Sequence, residues 1–573
     1  MQAGLSALRS NISCFSQGQL RWSWWNGGMI LVPLVMAVVA WYVLVVAKAW
    51  TKKRLRLPPG PLGIPVFGNL PFLDRNLHHH LTQLAQTYGP IMSLRLGRRL
   101  CVIVSSPSIA KELLREHDAT VANHDVPTAA MVLPNGLHGL AWVPHGQQWR
   151  TLRRLAVGGM LSNAGLEPHR DLRRCQIRQM VRRVQGQADA GSPVQVRELI
   201  YSTLYEVVTG MLWGGVLEEA GMKEVAKEFR QVVEDIQGTF GRLNISDFFP
   251  ILAPLDLQGL ERRRKKLSER LHQILDSIIN QRLRMENQSN HGKENADFLQ
   301  LLLRTMEKAE TSMPITIDHV KGLLLEGARG ISLVISVGSI HCPGLSLDQI
   351  NEILTSKLVD YLQDLVMAGM DTTTSTTEWA MSELMNNPQV MKKVQEELDQ
   401  VIGTSSLVEE THLSKLPYLN AIVKETLRLR PAGPIMLPRT PSETCTAGGY
   451  TVPKECRIVV NLWGMQRDPD AWDNPSEFRP ERFLNSEKRD FSGNDFHFFP
   501  FGTGRRICPG ALMADRMMMF ALATLLHMFN WRLPEGTQLD LLEKFGTVMK
   551  KAEPLVVVPS RRLPNPDLYS SIF

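Results

Sequence analysis

The chain holds 573 residues, of which 44% are apolar and 21% charged, the balance of an ordinary folded protein able to bury a large core. Its net charge of +7 is modest and spread along the chain, so nothing in it calls for nucleic acid. The seven cysteines, Cys14, Cys101, Cys175, Cys342, Cys445, Cys456 and Cys508, are odd in number, scattered and without a CxxC pair. That pattern argues against a disulfide framework or a zinc cluster and for a reducing, cytosol-facing catalytic domain.

After an N-terminal segment of residues 1–27, an uncharged run from Gly28 to Ala47, mostly Val, Leu, Ala, Met and Ile, has the roughly 20 residues a helix needs to span a bilayer. It is longer than a signal-peptide core; a cleaved signal and a buried core helix are the alternatives. Lys48, Lys52, Lys53, Arg54 and Arg56 on its far flank outweigh Arg9 and Arg21 on the near one. The positive-inside bias then puts residues 1–27 in the lumen and the body in the cytosol, with Trp22, Trp24 and Trp25 at the opposite interface. Residues 48–68 read as a basic and proline-rich linker: in Leu57-Pro58-Pro59-Gly60-Pro61, and at Pro65, proline fixes φ and removes donors, so the stretch can join neither a helix nor a sheet interior.

From residue 69 to 573 the pattern predicts one domain, mainly α with small β-sheets. Ile91 to Val104 suggests a hairpin, and Tyr450 to Val460 has β-branched residues around a turn at Pro453-Lys454. Amphipathic helices are predicted over Glu224 to Ile236, Leu260 to Met285 and Glu378 to Ile402, with a polar surface loop over Asn287 to Asp297. Arg262, Arg263, Arg264, Lys265 and Lys266 read as the solvated face of a helix, or alternatively as a docking surface for an acidic protein or the anionic membrane.

The residues that carry chemistry lie near the C-terminus. Phe501-Gly502-Thr503-Gly504-Arg505-Arg506-Ile507-Cys508-Pro509-Gly510 fits F-x-x-G-x-R-x-C-x-G at every fixed position. A lone cysteine in apolar surroundings is ordinarily inert. Here Gly504 permits a tight turn, Gly510 a close backbone approach at the start of the next helix, and Arg506 can pair with an anionic group.

This motif resembles that of the cytochrome P-450 superfamily, and the likeness runs from the proline linker to Pro559. It implies the P-450 fold, an α+β prism preceded by one transmembrane helix, with Cys508 as thiolate ligand of haem b iron and Phe501, Gly504 and Gly510 shaping its loop. Glu425 and Arg428, at i and i+3 on one helix face, would join Arg482 of Pro480-Glu481-Arg482-Phe483 in a buried structural triad. Ala368-Gly369-Met370-Asp371-Thr372-Thr373 is similar to the family's oxygen-activation motif. The resemblance implies that Gly369 admits dioxygen, that the Thr372 hydroxyl bonds the helix carbonyls and opens a groove, and that Asp371 and Thr372 deliver protons. Trp149 and Arg153 match the family's W-x-x-x-R, whose arginine contacts a haem propionate; a surface arginine beside a core tryptophan is the plainer reading. Arg439 matches a further propionate ligand, as does Arg506. Arg430 departs from the pattern, since plant members usually carry histidine there.

A thiolate ligand favours O–O heterolysis over reversible oxygen binding, which implies a monooxygenase that inserts one atom of dioxygen into a small hydrophobic substrate. The chain has no flavin or dinucleotide fingerprint, so the electrons come from a partner; by resemblance this is an NADPH-dependent membrane flavoprotein reductase. Val121 to Trp142, Leu365 to Ala368 and Ala432 to Leu437 correspond to substrate-facing segments, and they are mostly apolar. The likeness is to plant microsomal enzymes of secondary metabolism that hydroxylate terpenoids or flavonoid and phenolic skeletons, which implies a single-pass protein of the endoplasmic reticulum membrane. A haem-thiolate isomerase or dehydratase needing no reductase, and a non-catalytic haem-binding product, are the alternatives.

One segment departs from the family. If Leu325 were joined to Asp364, His319 to Gly369 would read as an unbroken oxygen-side helix; instead residues 326–363 intervene, carrying Gly327, Gly330, Gly338 and Cys342-Pro343-Gly344. Those breakers predict a split helix or an extruded loop. The clean join, and a terminal Gln363 compatible with a CAG splice acceptor, suggest a retained in-frame intron; a genuine functional loop is the alternative.

Overall fold

The computed structural model describes residues 33, 36, 40, 56–128, 139–214, 222–240, 244–288, 297–301, 347–484 and 489–570. The run from Gly28 to Ala47 and residues 326–346 lie outside these, the isolated positions 33, 36 and 40 apart. The chain divides into two units, Met1–Leu57 with Ile64–Val66, and Pro58–Gly63 with Phe67–Phe573; the second is described here.

It is helix-rich with small sheets, as its periodicity predicts. Strands β1 (Ile91–Leu96) and β2 (Arg99–Val104) form the expected hairpin, with Ile91 opposite Val104 and Leu96 opposite Arg99. Gly97 turns the chain at φ +57°, where a Cβ would also strike the Phe248 carbonyl at 2.6 Å. The proline stretch is held against this hairpin: Ser93 donates from its backbone N–H to Pro59 at 2.7 Å and from its hydroxyl to Pro58 at 2.8 Å. The folded unit thus takes in part of what reads as linker.

β2 pairs in parallel with β5 (Arg457–Val460), which continues antiparallel through β4 (Arg439–Thr440) to β3 (Asn123–His124), giving a five-stranded sheet. Tyr450–Val452 is a strand on the other side of the Pro453 turn, but it pairs with Cys445–Ala447 and not with β5.

The helical side is built on a few long elements: α1 (Leu77–Tyr88), α2 (Gln147–Ala156), α3 (Arg170–Asp189), α4 (Val196–Trp213), α5 (Lys223–Phe240), α6 (Leu260–Gln288), α7 (Leu347–Asn386), α8 (Pro388–Ile402), α9 (Pro417–Leu429) and α10 (Ala511–Met528). The apolar faces of α2 to α10 meet in one cluster that includes Met180, Val207, Val366, Met381, Leu419 and Leu522, while α1 packs its Leu81 against Met92, Leu94 and Ile103 of the hairpin. α10 is the one described helix long and apolar enough to cross a membrane, and it is mostly buried in this core.

Four expectations change. The amphipathic pattern from Glu378 to Ile402 belongs to two helices, because Pro388 cannot donate to the preceding turn and Asn387 is pushed out of helical geometry, to φ −126° and ψ 75°. The basic run on α6 is not wholly solvated, since Arg264 is buried and donates to the Thr239 hydroxyl at 3.2 Å. The interruption expected across residues 326–363 does not extend to its end: Leu347 to Gln363 contains neither glycine nor proline and forms the first part of α7. Asn287 and Gln288, placed in a loop by composition, still belong to α6.

Candidate active site

Cys508 is brought to the site by a loop braced at both ends. Its N–H donates to the Phe501 carbonyl at 2.9 Å, and Ile507 N–H to Gly504 at 3.1 Å. Gly504 stands at φ +67°, and a Cβ there would meet the Asp118 carboxylate at 2.6 Å, so the turn needs glycine on two counts. Gly510, directly before α10, has room to spare: a Cβ would meet only the Cys508 sulfur, at 4.0 Å. The close approach expected there is not observed.

The loop rests on the predicted triad. Glu425 accepts from Arg428 Nε at 2.7 Å and Nη2 at 2.8 Å, and from Arg482 Nε at 3.2 Å, with Glu425 and Arg428 fully enclosed. Arg428 also donates to the carbonyls of Gln466, Pro475 and Glu477, and Arg482 to that of Asn474. The charges are therefore used to fix the loop before Phe483. From there rings carry the order onward: Phe483 lies 4.9 Å from Phe498, Phe498 6.0 Å from Phe491, and Phe491 5.0 Å, edge to face, from Phe501.

Cys508 itself is solvent-accessible, whereas Cys101, Cys445 and Cys456 are buried. Burial pushes Cys101 to about 11 and Cys456 to about 12, which makes them inert structural thiols. Burial also raises Cys508, but the backbone N–H groups of Gly510 and Ala511 and the Arg153 guanidinium act against it. The start of the 18-residue helix α10, just beyond it, favours its thiolate. On α7, Ala368 is likewise exposed, and Met367, Gly369, Asp371 and Thr372 are half-buried, among the buried Leu365, Val366, Met370 and Thr373.

Around this thiol lie cations without matching anions. Arg439 is 2% exposed; its Nε has no hydrogen-bond partner, and its other contacts, to Val121 and Thr503 carbonyls, are long at 3.5 Å. Burial lowers it to about 10. Burial, then repulsion from Arg439 and Arg153, lowers Arg506 to about 9. Arg506 donates to the carbonyls of Ala122, Leu140 and Val143 at 2.7, 3.2 and 2.5 Å, leaving two of a guanidinium's five N–H groups free. Trp149 is buried between Arg506 and Arg153, with ring distances of 4.6 and 5.5 Å, so it is a shared platform for two cations. Burial and the charges of Arg439 and Arg506 hold His124 neutral, down to about 3. Among the described residues none of Arg153, Arg439 and Arg506 has a carboxylate in ion-pair range. Clustered buried cations of this kind leave a place for anionic groups, which the two propionates of haem fit.

On α7, the Thr372 hydroxyl donates to the Ala368 carbonyl at 2.8 Å, the bond its position suggests, and α7 remains helical through it. Gly369 is open on its Cβ side except for Val208 at 3.7 Å. Asp371 is paired: Lys550 Nζ lies 2.6 Å from its Oδ1. Lys550 comes from β6 (Lys550–Lys551), which Ser375 ties to α7 by donating to the Met549 carbonyl at 2.6 Å. Nothing in the sequence couples Lys550 to Asp371. Arg430, where the resemblance breaks, is committed elsewhere, to Glu383 at 2.9 Å, to Glu543 at 2.5 Å and over the Trp379 ring at 4.5 Å.

The model of the family described as Cytochrome P450 matches residues 58–328 and 348–558. Cytochrome P450 monooxygenase 76AD131 of Lophophora williamsii is 36% identical over 510 residues, covering 88% of this chain and 93% of its own. Geranylhydroquinone 3''-hydroxylase of Arnebia euchroma is 35% identical, with coverages of 90% and 96%. Carnosic acid synthase of Rosmarinus officinalis is 37% identical, with coverages of 88% and 93%. A zebra fish cytochrome P450 solved with progesterone superposes with a TM-score of 0.65 at 23% identity, over 84% of this chain and 99% of that one; it shares the fold. With a thiol loop, a cation cluster and an α7 motif in the matching places, this chain belongs to the cytochrome P450 family.

Proposed function

We propose that this chain is a monooxygenase that hydroxylates a small hydrophobic terpenoid or phenolic substrate, with haem b as cofactor and electrons from an NADPH-dependent flavoprotein reductase. The observation that carries the reading is the exposed Cys508 at the head of α10 beside the cluster of Arg153, Arg439 and Arg506, none of which has a carboxylate in ion-pair range among the described residues.

Haem, when bound, supplies the electron-transfer and dioxygen chemistry through which one oxygen atom enters a substrate C–H bond. Cys508 is its thiolate ligand, kept ionised by metal binding, the α10 N–H groups and Arg153. Arg439 and Arg506 take the propionates with their spare donors, and Arg153, backed by Trp149, neutralises the same side. On the opposite helix the Thr372 hydroxyl and Asp371 carboxylate hold and pass protons, while Lys550 fixes Asp371. Electrons come from outside because no flavin or dinucleotide fingerprint is present.

The substrate class rests on relatives named carnosic acid synthase, ferruginol synthase, geranylhydroquinone 3''-hydroxylase and flavonoid 3'-monooxygenase. The apolar run Gly28 to Ala47 and its basic flank support a single-pass anchor in the endoplasmic reticulum membrane with the body in the cytosol. An isomerase or dehydratase would have no use for the Asp371 and Thr372 pair. Residues 326–363 are read as a retained intron, supported by the clean join of Leu325 to Asp364; the family match stops at residue 328 and resumes at 348, so it supports the reading over 329–347 alone.

The test is turnover of terpenoid and phenylpropanoid panels by purified chain under labelled dioxygen. Label in a product only when both reductase and NADPH are present supports the reading. Product without reductase favours the isomerase or dehydratase, and none with a haem-loaded chain favours the non-catalytic alternative.

A further inference from the structure

Between the thiolate loop and α7 lies a short segment, Gly139–Val143, gripped from both sides. Toward α7, the Ala141 N–H donates to Asp364 Oδ2 at 2.9 Å. Gly139 comes so close that a Cβ would stand 2.2 Å from the same oxygen and 2.7 Å from its carboxyl carbon. Toward the thiolate loop, the Leu140 and Val143 carbonyls accept from Arg506 at 3.2 and 2.5 Å. The Ala141 carbonyl accepts from His124 Nδ1 at 2.7 Å, and a tight turn closes as Trp142 and Val143 N–H donate to Gly139 at 3.2 and 3.1 Å. The segment therefore offers a donor to the oxygen-side helix and acceptors to the cation that would hold the cofactor.

We propose that Asp364 is a positioning residue for the substrate pocket: through Ala141 and Gly139 it fixes the Gly139–Val143 segment between α7 and the Cys508 loop. The inference rests on the haem-site reading above. Leu365 and Val366, next to Asp364, and Leu140, next to Ala141, are all buried in the same core cluster. Holding the segment thus sets how tightly an apolar molecule is enclosed, without touching iron ligation. Asp364 is a costly residue to keep there, since burial raises its carboxyl to about 6 against the pull of the Ala141 N–H and of Arg264.

The test uses the full-length, haem-loaded chain and two azole probes read by the Soret shift, imidazole, which needs only the iron, and 4-phenylimidazole, which also needs the pocket. D364A should weaken 4-phenylimidazole about tenfold, the worth of one hydrogen bond to a charged acceptor, and leave imidazole within about twofold. It should also speed amide deuterium exchange across Gly139–Val143. D364N, whose amide oxygen still accepts, should stay within about threefold of wild type. G139A should weaken 4-phenylimidazole as D364A does, and the double variant G139A/D364A should be no worse than either, because removing the carboxylate removes the clash. Wild-type binding of 4-phenylimidazole and unchanged exchange in both D364A and G139A would overturn the proposal, as would an equal loss of both azoles. Failure of the wild type to take either azole would sink the haem reading instead, and the exchange data would still decide whether Asp364 holds the segment. Should D364A not fold, G139A and D364N supply the same comparison.

Discussion

Asp364 and Asp371 share a helix and meet opposite surroundings. Asp364 is half-buried, and its carboxyl is raised from 3.8 to about 6. Between those values the folded protein binds its proton more tightly than the unfolded chain, so its contribution to stability is full below pH 3.8 and lost as pH rises through about 6. D364N removes that loss: at pH 8 it should unfold with roughly 2–3 kcal/mol more stability than wild type, and at pH 4 with the same stability, as measured by urea titration. A D364N variant no more stable at pH 8 would refute this. Asp371 instead has an ion pair with Lys550 at 2.6 Å. K550M should lower kcat about tenfold with KM unchanged, short of the 10²–10⁴-fold that loss of an acid or base itself brings, and K550R should recover most of it. Equal kcat in K550M would remove Lys550 from the mechanism. Neither partner was legible in the sequence: Lys550 and Ala141 lie far from α7 along the chain, and only the folded sheet and turn bring them there.

At the scale of elements, what the sequence revealed was local. The Glu425 and Arg428 pair follows from its i, i+3 spacing, and the β1–β2 hairpin from its alternation. The carbonyls of Gln466, Pro475 and Glu477 that complete Arg428 are backbone atoms with no sequence signature. The break at Pro388 shows the converse, a periodicity that continues across a backbone that cannot. Because Glu425 and Arg428 are wholly enclosed, R428A leaves a buried carboxylate that has lost its bidentate partner and keeps only its contacts with Arg482 Nε and the Arg479 N–H. It should cost about 3–5 kcal/mol in urea unfolding and release the loop before Cys508, seen as faster haem loss. A change under about 1 kcal/mol would mean the pair is less buried in solution than it is here.

For the whole molecule, the order of motifs along the chain made the family legible, while the cation cluster around Arg439 and Arg506 needed the fold to bring β4, α2 and the Cys508 loop together. The departure at residues 326–363 also has consequences at this scale, since α7 spans the core and carries both Asp364 and Asp371. A chain deleted of residues 326–363, joining Leu325 to Asp364, should bind haem more fully than the intact chain, judged by the ratio of Soret to protein absorbance. Equal loading would favour a genuine loop, and transcript reads spanning the segment in active tissue would end the retained-intron reading. The central claim remains that Cys508 is the thiolate ligand, and it is tested most directly by the carbon monoxide difference spectrum of the reduced full chain and its C508S variant. The expected result is a Soret band at the thiolate–carbonyl position in the wild type that is absent in C508S, whose far-ultraviolet circular dichroism is unchanged. The same band in C508S, or its absence from a haem-loaded wild type, would contradict the account.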